Sequence, residues 1–104
     1  MNSERVFSAL SNPVRRQLLE HLIEGPRTPG RLARQFDLSR PAVSEHLRVL
    51  REAGLIEEKI SGRERLYSLN AQPLALVSDW LRPFEIYWRK RLSALKGILE
   101  DPET

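Results

Sequence analysis

The run from Leu38 to Leu55, LSRPAVSEHLRVLREAGL, carries signals for both ends of one helix, and every neighbouring segment must accommodate it. Ser39 is placed as the N-cap, its hydroxyl accepting from the free amide of Ala42, while Arg40 and Pro41 open the first turn. Leu38 and Val43 have the spacing of a hydrophobic staple. At the other end Gly54 supplies a left-handed residue, with Leu50 and Leu55 spaced for the apolar contact of a Schellman motif. At about 100° per residue, Val43, Leu47 and Leu50 line one side; Pro41, Glu45, Arg48 and Glu52 fall opposite, with Ser44 on the shoulder.

A shorter helical pattern precedes it, with Thr28 as cap, Pro29 at the first position and Leu32, Ala33 and Phe36 apolar. Only Asp37 and Leu38 separate the two. Two short helices on so tight a turn, the second opening on Ser, Arg and Pro, make a helix-turn-helix that can lay its second helix in a DNA major groove. Amphipathic pairs of this kind also occur in all-α proteins that bind no DNA, so the following segment matters. Ile56 to Ser61 and Glu64 to Leu69 read as two strands around Gly62-Arg63, which makes a hairpin wing. Tyr67 and Leu69 share a face, as do Ile56 and Ile60, and these are expected to cover the helical core. Lys59, Arg63 and Arg65 remain for the tip and the exposed face. They either guard the strand edges against pairing or grip the DNA backbone and the adjacent minor groove.

LSNPVRRQLLEHL near the start, LARQFDLSRPAVSEHLRVLREAGLIEEKISGRERLYSL through the middle and a long helical tail resemble the ArsR-type winged helix-turn-helix repressors of bacteria and archaea. The likeness covers residues 3–100. It implies a mainly α fold with a small β-hairpin, in the order α-α-α-α-β-β-α, and a homodimeric transcription factor whose first and last helices make the dimer. The corresponding organisation is one domain over 1–104, with the helix-turn-helix at 28–54, the wing at 56–69 and dimerisation helices at 3–10 and 73–100.

A chain of 104 residues buries only roughly two-thirds of its unfolded surface, and dimerisation would add to that. It has no cysteine, hence neither disulfides nor thiolate metal sites. MNSERVF has no apolar targeting core, and no window approaches a membrane span, so a cytoplasmic location with no membrane partner is the expectation. The net charge of +3 is unevenly placed: nine Lys or Arg stand against six Asp or Glu between Arg27 and Tyr67, and eight against eight elsewhere. The whole excess lies on the half expected to meet phosphate.

Along the chain, Val6, Phe7 and Leu10 mark a helix over 3–10 that is too short to be stable alone and must pack across a dimer or onto the tail. Asn12-Pro13 caps a second helix whose apolar stripe is Val14, Leu18 and Leu22 with Leu19 and Ile23. Arg15 and Arg16 lie on its outer side, toward solvent or a phosphate. After Pro73 the apolar residues Val77, Leu81, Phe84, Trp88, Leu92, Leu95 and Leu99 recur at 4, 3, 4, 4, 3, 4, a period of 3.67 that keeps one seam on a nearly straight helix. Pro83 is expected to kink or restart it between Leu81 and Phe84. A second copy of the chain is the simplest cover for this seam. Trp80, Tyr87 and Trp88 belong to that core or line a small-molecule pocket, and residues 101–104 are expected to fray.

No Gly-rich phosphate loop, cysteine nucleophile or Ser-His-Asp pattern is present, so no enzyme is expected. His46 reads as a packing residue with a local hydrogen bond, and His21 has no partner at ligand spacing. Metal-sensing members of the family that the chain resembles use cysteines on the helix before the recognition helix, or Asp, Glu and His on the terminal helices. Here TPGRLARQF has no cysteine, and the tail offers Asp79, Glu85 and Glu100 without histidine. No metal site and no cofactor follow; an organic effector near Trp80, Tyr87 and Trp88, or no effector, remains.

The residues expected at DNA are Thr28, Ser39, Arg40, Pro41, Ser44, Glu45, Arg48, Lys59, Arg63 and Arg65, with Arg40 and Arg48 foremost for base edges. Those expected in the dimer are Phe7, Leu10, Val77, Leu81, Phe84, Trp88, Leu92, Leu95 and Leu99. The functional expectation is a homodimeric, sequence-specific DNA-binding repressor acting at an inverted repeat. The competing one is a winged-helix dimer that binds protein and no longer reads DNA; Arg40, Ser44 and Arg48 with a basic wing favour DNA, and Glu45 and Glu52 temper that field without excluding the groove, since glutamate can accept from cytosine N4.

Overall fold

In the computed structural model, which describes residues 2–100 and of residue 100 only the backbone, local signals set the helix ends. Asn2 caps α1 (Ser3–Leu10), Asn12 caps α2 (Pro13–Leu22), Thr28 caps α3 (Pro29–Gln35) and Ser39 caps α4 (Arg40–Glu52). Each cap side chain accepts from an amide of the first turn, which has no carbonyl partner of its own. In α4 the Ser39 hydroxyl takes the Ala42 amide at 3.2 Å. At its far end Gly54 has φ 78°, and the Leu55 and Gly54 amides donate to the Leu50 and Arg51 carbonyls at 3.0 and 2.9 Å. Those two bonds are the Schellman closure.

Strands β1 (Ile56–Ser61) and β2 (Glu64–Leu69) pair antiparallel from Ile56↔Leu69 to Ser61↔Glu64. Between them Gly62 has φ 63° while Arg63 keeps a negative φ, the pattern of a two-residue II′ turn, whose twist matches that of the strands. α5 (Leu74–Glu100) follows, so the order is α1-α2-α3-α4-β1-β2-α5, a winged helix-turn-helix.

The core gathers Val6 and Ala9 of α1, Leu18 and Leu22 of α2, Leu32 of α3, Val43, Leu47 and Leu50 of α4, and Leu55, Ile56 and Tyr67 beyond. α1 therefore packs into the core of its own chain, and it also meets the tail through Phe7, edge-on to Trp80 with ring centroids 5.8 Å apart. Leu10 is only partly buried against that core. Two expected core residues lie outside it. Ile60 is 73% exposed, because the hairpin has left the helical body by the time it approaches its tip, and Ile23 is 70% exposed, because α2 has already ended at Leu22.

α5 runs unbroken through Pro83. The proline removes one helical hydrogen bond, yet this turn is exposed, where water can take the freed carbonyl, and no restart follows. The helix is about 40 Å long at 1.5 Å per residue, and it stretches the molecule to 70 × 28 × 21 Å. The radius of gyration is 19.2 Å, against about 13 Å for a compact domain of this length. Val77 reaches the core, but beyond it the seam is uncovered: Phe84, Trp88, Leu92 and Leu95 are roughly half exposed or more, and Leu99 is 74% exposed. The expected fraying of 101–104 lies outside the described residues.

Candidate nucleic-acid interface

Pro41, Ser44, Glu45, Arg48 and Glu52 form the exposed side of α4, opposite Val43, Leu47 and Leu50. Arg48 is not a free cation there. Its Nε donates to Glu45 Oε2 at 3.1 Å, Nη2 to Glu45 Oε1 at 2.5 Å, and Nη1 to Glu52 Oε1 at 2.9 Å. The same contacts hold the Glu45 carboxyl below its ordinary value and push the Arg48 guanidinium still higher. A guanidinium has five N–H donors, so this clamp fixes its plane and leaves two donors unused.

Between α4 and the wing runs a trench of two adjoining clefts. One, of about 380 Å³, is lined by Pro29, Arg40, Ser44, Arg48, Arg51, Arg65 and Tyr67, among others. The other, of about 370 Å³, is lined by Thr28, Pro29, Gly30, Arg40, Arg63, Glu64 and Arg65. Of the residues expected at DNA, Thr28, Arg40, Ser44, Arg48, Arg63 and Arg65 thus meet along one groove. Thr28 and Ser39 already use their hydroxyls as caps, toward Arg31 N and Ala42 N. Lys59 pairs with Leu66 on the hairpin face opposite Arg65 and Tyr67, and it lines neither cleft. Period-2 alternation places it there.

The wing is tied to the body at its base. Arg27 and Tyr67 exchange backbone hydrogen bonds at 3.0 and 2.9 Å, a single-residue bridge that adds a third edge to the hairpin. Asn70 donates its amide to Leu55 O at 2.8 Å and its Nδ2 to Gly54 O at 2.9 Å. On the same rung as Tyr67, Glu58 of β1 accepts from Arg51 Nη1 of α4 and lies 3.5 Å from Arg65 Nε of β2. Arg51 and Glu58 were not among the residues expected at the site. Arg51 falls at the edge of the helix wheel, and only the hairpin brings Glu58 to it.

A helix-turn-helix domain family model matches residues 10–59. The chain is 36% identical over 97 residues to the HTH-type transcriptional regulator Rv2034 of Mycobacterium tuberculosis, covering 93% of this chain and 88% of that protein. It is 38% identical over 79 residues to the transcriptional repressor SdpR of Bacillus subtilis, covering 76% and 88%. The crystal structure of an ArsR family transcriptional regulator, RHA00566, superposes with a TM-score of 0.73 at 32% identity, covering 83% of this chain and 94% of that one. The chain belongs to the ArsR family of transcriptional regulators. That is a class of non-enzymes, and no helix among the described residues is long and apolar enough to cross a membrane.

Within this ArsR-type fold, Arg15 and Arg16 have a different occupation from the solvent or phosphate expected of them. Arg15 donates through Nε to Ala9 O at 2.7 Å and through Nη2 to Ser8 O at 3.1 Å, and Arg16 Nη1 donates to Leu10 O at 2.7 Å. They satisfy the last carbonyls of α1, which the helix itself leaves open. His46 completes the cluster, with Nδ1 3.5 Å from Arg15 Nη1; desolvation and then the Arg15 charge hold its pKa below the ordinary value. His21 stacks edge-on against Phe36, centroids 5.5 Å apart.

Proposed function

We propose that this ArsR-family chain is a homodimeric repressor that reads an inverted-repeat operator, with α4 in the major groove and the wing along the backbone. The observation that carries the reading is the trench, in which the side chains of Arg40 and Arg63 make no hydrogen bond or ion pair among the described residues while Arg48 is held in a fixed plane. Free cations suit phosphate, and an oriented guanidinium suits the O6 and N7 edge of guanine. Glu45 beside it can accept from cytosine N4. Pro41 and Ser39 sit at the start of the helix, the end that enters the groove in this class of motif.

The uncovered seam of α5 supports the dimer. Large apolar side chains from Phe84 to Leu99 stand in water in a single chain, and a second copy presenting the same stripe buries them by two-fold symmetry. Metal independence follows from the donor set, since the chain has no cysteine and its tail carries carboxylates but no histidine. Selection of bound fragments from the native upstream region, followed by footprinting, tests the whole reading. Two protected half-sites related by inversion and spaced by one helical turn or a multiple are expected. A single asymmetric half-site at saturating protein would overturn it.

A further inference from the structure

We propose that Glu58 is a positioning residue for DNA reading: its one carboxylate holds Arg51 of α4 and Arg65 of the wing together and so sets the preference for operator over random DNA. The inference rests on the DNA-reading function proposed above and names a residue that governs its specificity.

Glu58 is the least exposed member of the triad, at 17% of its side chain against 47% for Arg51 and 65% for Arg65. Both arginines line the cleft between α4 and the hairpin, and the carboxylate lies between them. Nothing apolar does this work further out, because Ile60, two residues along the same face, is exposed. The backbone ties at Arg27, Tyr67 and Asn70 join the wing to the segment before α3 and to the residues after α4, up to the Glu58–Tyr67 rung, and none of them reaches a side chain of α4. Glu58, on the same rung as Tyr67, therefore links recognition helix to wing by charge, through Arg51 of α4 and through Arg65 nearer the tip.

Two arginines and one glutamate carry a net charge of +1, and neutralising the glutamate raises it to +2 while removing the common anchor. Phosphate contacts are made to any sequence, whereas base reading needs a defined geometry. Released arginines thus strengthen binding to all DNA alike and weaken discrimination. Partly exposed ion pairs contribute little to stability, so the consequence lies in geometry and not in folding.

The test uses the full chain with Glu58→Gln, Glu58→Asp and Arg51→Gln. Affinities for the selected operator and for a random duplex are measured across a salt series, with thermal melting alongside. Glu58→Gln is expected to raise random-duplex affinity, to steepen its salt dependence by up to about 0.9 per arginine released, and to lower the operator-to-random ratio about tenfold, with the melting temperature nearly unchanged. Glu58→Asp, which keeps the charge, retains most of the ratio, and Arg51→Gln lowers the ratio while flattening the salt slope. An unchanged ratio in Glu58→Gln overturns the inference, as does a parallel fall of both affinities together with the melting temperature. If the unmodified protein itself does not distinguish operator from random duplex, the proposed function fails and this inference with it; if it does distinguish them and Glu58→Gln does so equally, only the inference fails.

Discussion

The amide of Leu38 donates to the carbonyl of Ala33 at 2.9 Å, closing the turn between α3 and α4 around Asp37, which has a left-handed φ of 50°. The angle between the two helices of the motif therefore depends on one non-glycine residue in a conformation that costs most L-residues about 1–2 kcal/mol. Aspartate is among the few that tolerate it. Asp37→Gly is expected to be neutral or mildly stabilising, and Asp37→Val to cost about 1–2 kcal/mol, as read by urea denaturation. Equal stability of the two variants would show that the turn relaxes to another conformation.

Arg48→Ala is expected to weaken operator binding roughly tenfold to a hundredfold and to relax base preference at one position of each half-site, the loss typical of a bidentate guanine contact. Competition binding against single-base operator variants measures both. Retention of the full preference would mean that Arg48 only braces Glu45 and Glu52.

The Glu45 carboxyl should titrate below its ordinary value of 4.5, chiefly through its hydrogen bonds from Arg48. A folded-state pKa that is lowered contributes stability above the unfolded value, and that contribution is lost as the pH falls through the lowered one. The clamp is thus closed at neutral pH and opens only under acid. Carboxyl-carbon NMR titration checks this, with the Glu45 midpoint expected to return toward the ordinary value in Arg48→Ala.

The wing cations should separate. Arg63→Ala is expected to weaken operator and random DNA alike and to reduce the salt slope by about 0.9, whereas Lys59→Ala, on the far face of the hairpin, changes the slope less. Filter-binding across a salt series gives both slopes. If Lys59 proves the larger, the wing lies on DNA by its other face.

Trp88→Glu or Leu92→Glu places a charge in the apolar seam of α5 and should separate the subunits, with operator binding lost as a consequence. Light scattering reports the mass directly. A variant that stays dimeric would move the interface elsewhere.

Zinc, cadmium, arsenite and copper at micromolar levels should leave operator affinity unchanged, because the chain offers these ions neither thiolate nor paired imidazole. A metal-induced loss of binding that disappears on changing Asp79 of α5 or His21 of α2 would overturn this expectation.

Helix ends and the turn of the wing were legible in the sequence because caps, prolines and glycines act on neighbours in the chain: Ser39, Thr28 and Asn12 accept from amides two or three residues on, and Gly62 shapes its own turn. The side of α4 that faces outward was legible for the same reason, since a 3.6-residue period is local. Which of those outward cations stay free was not. Arg15 turns back to Ala9 and Ser8, Arg48 closes on Glu45 and Glu52, and Arg51 and Arg65 meet at Glu58. Long side chains can find any acceptor within several ångströms, and only the folded chain selects one. Ile60 followed the alternation of a strand, yet it is exposed, because period two assigns a face and not how far the body extends beneath it. The Arg27–Tyr67 bridge left no mark in composition or pattern. A single pair of backbone bonds between distant residues requires no particular side chain, so only tertiary structure could decide it.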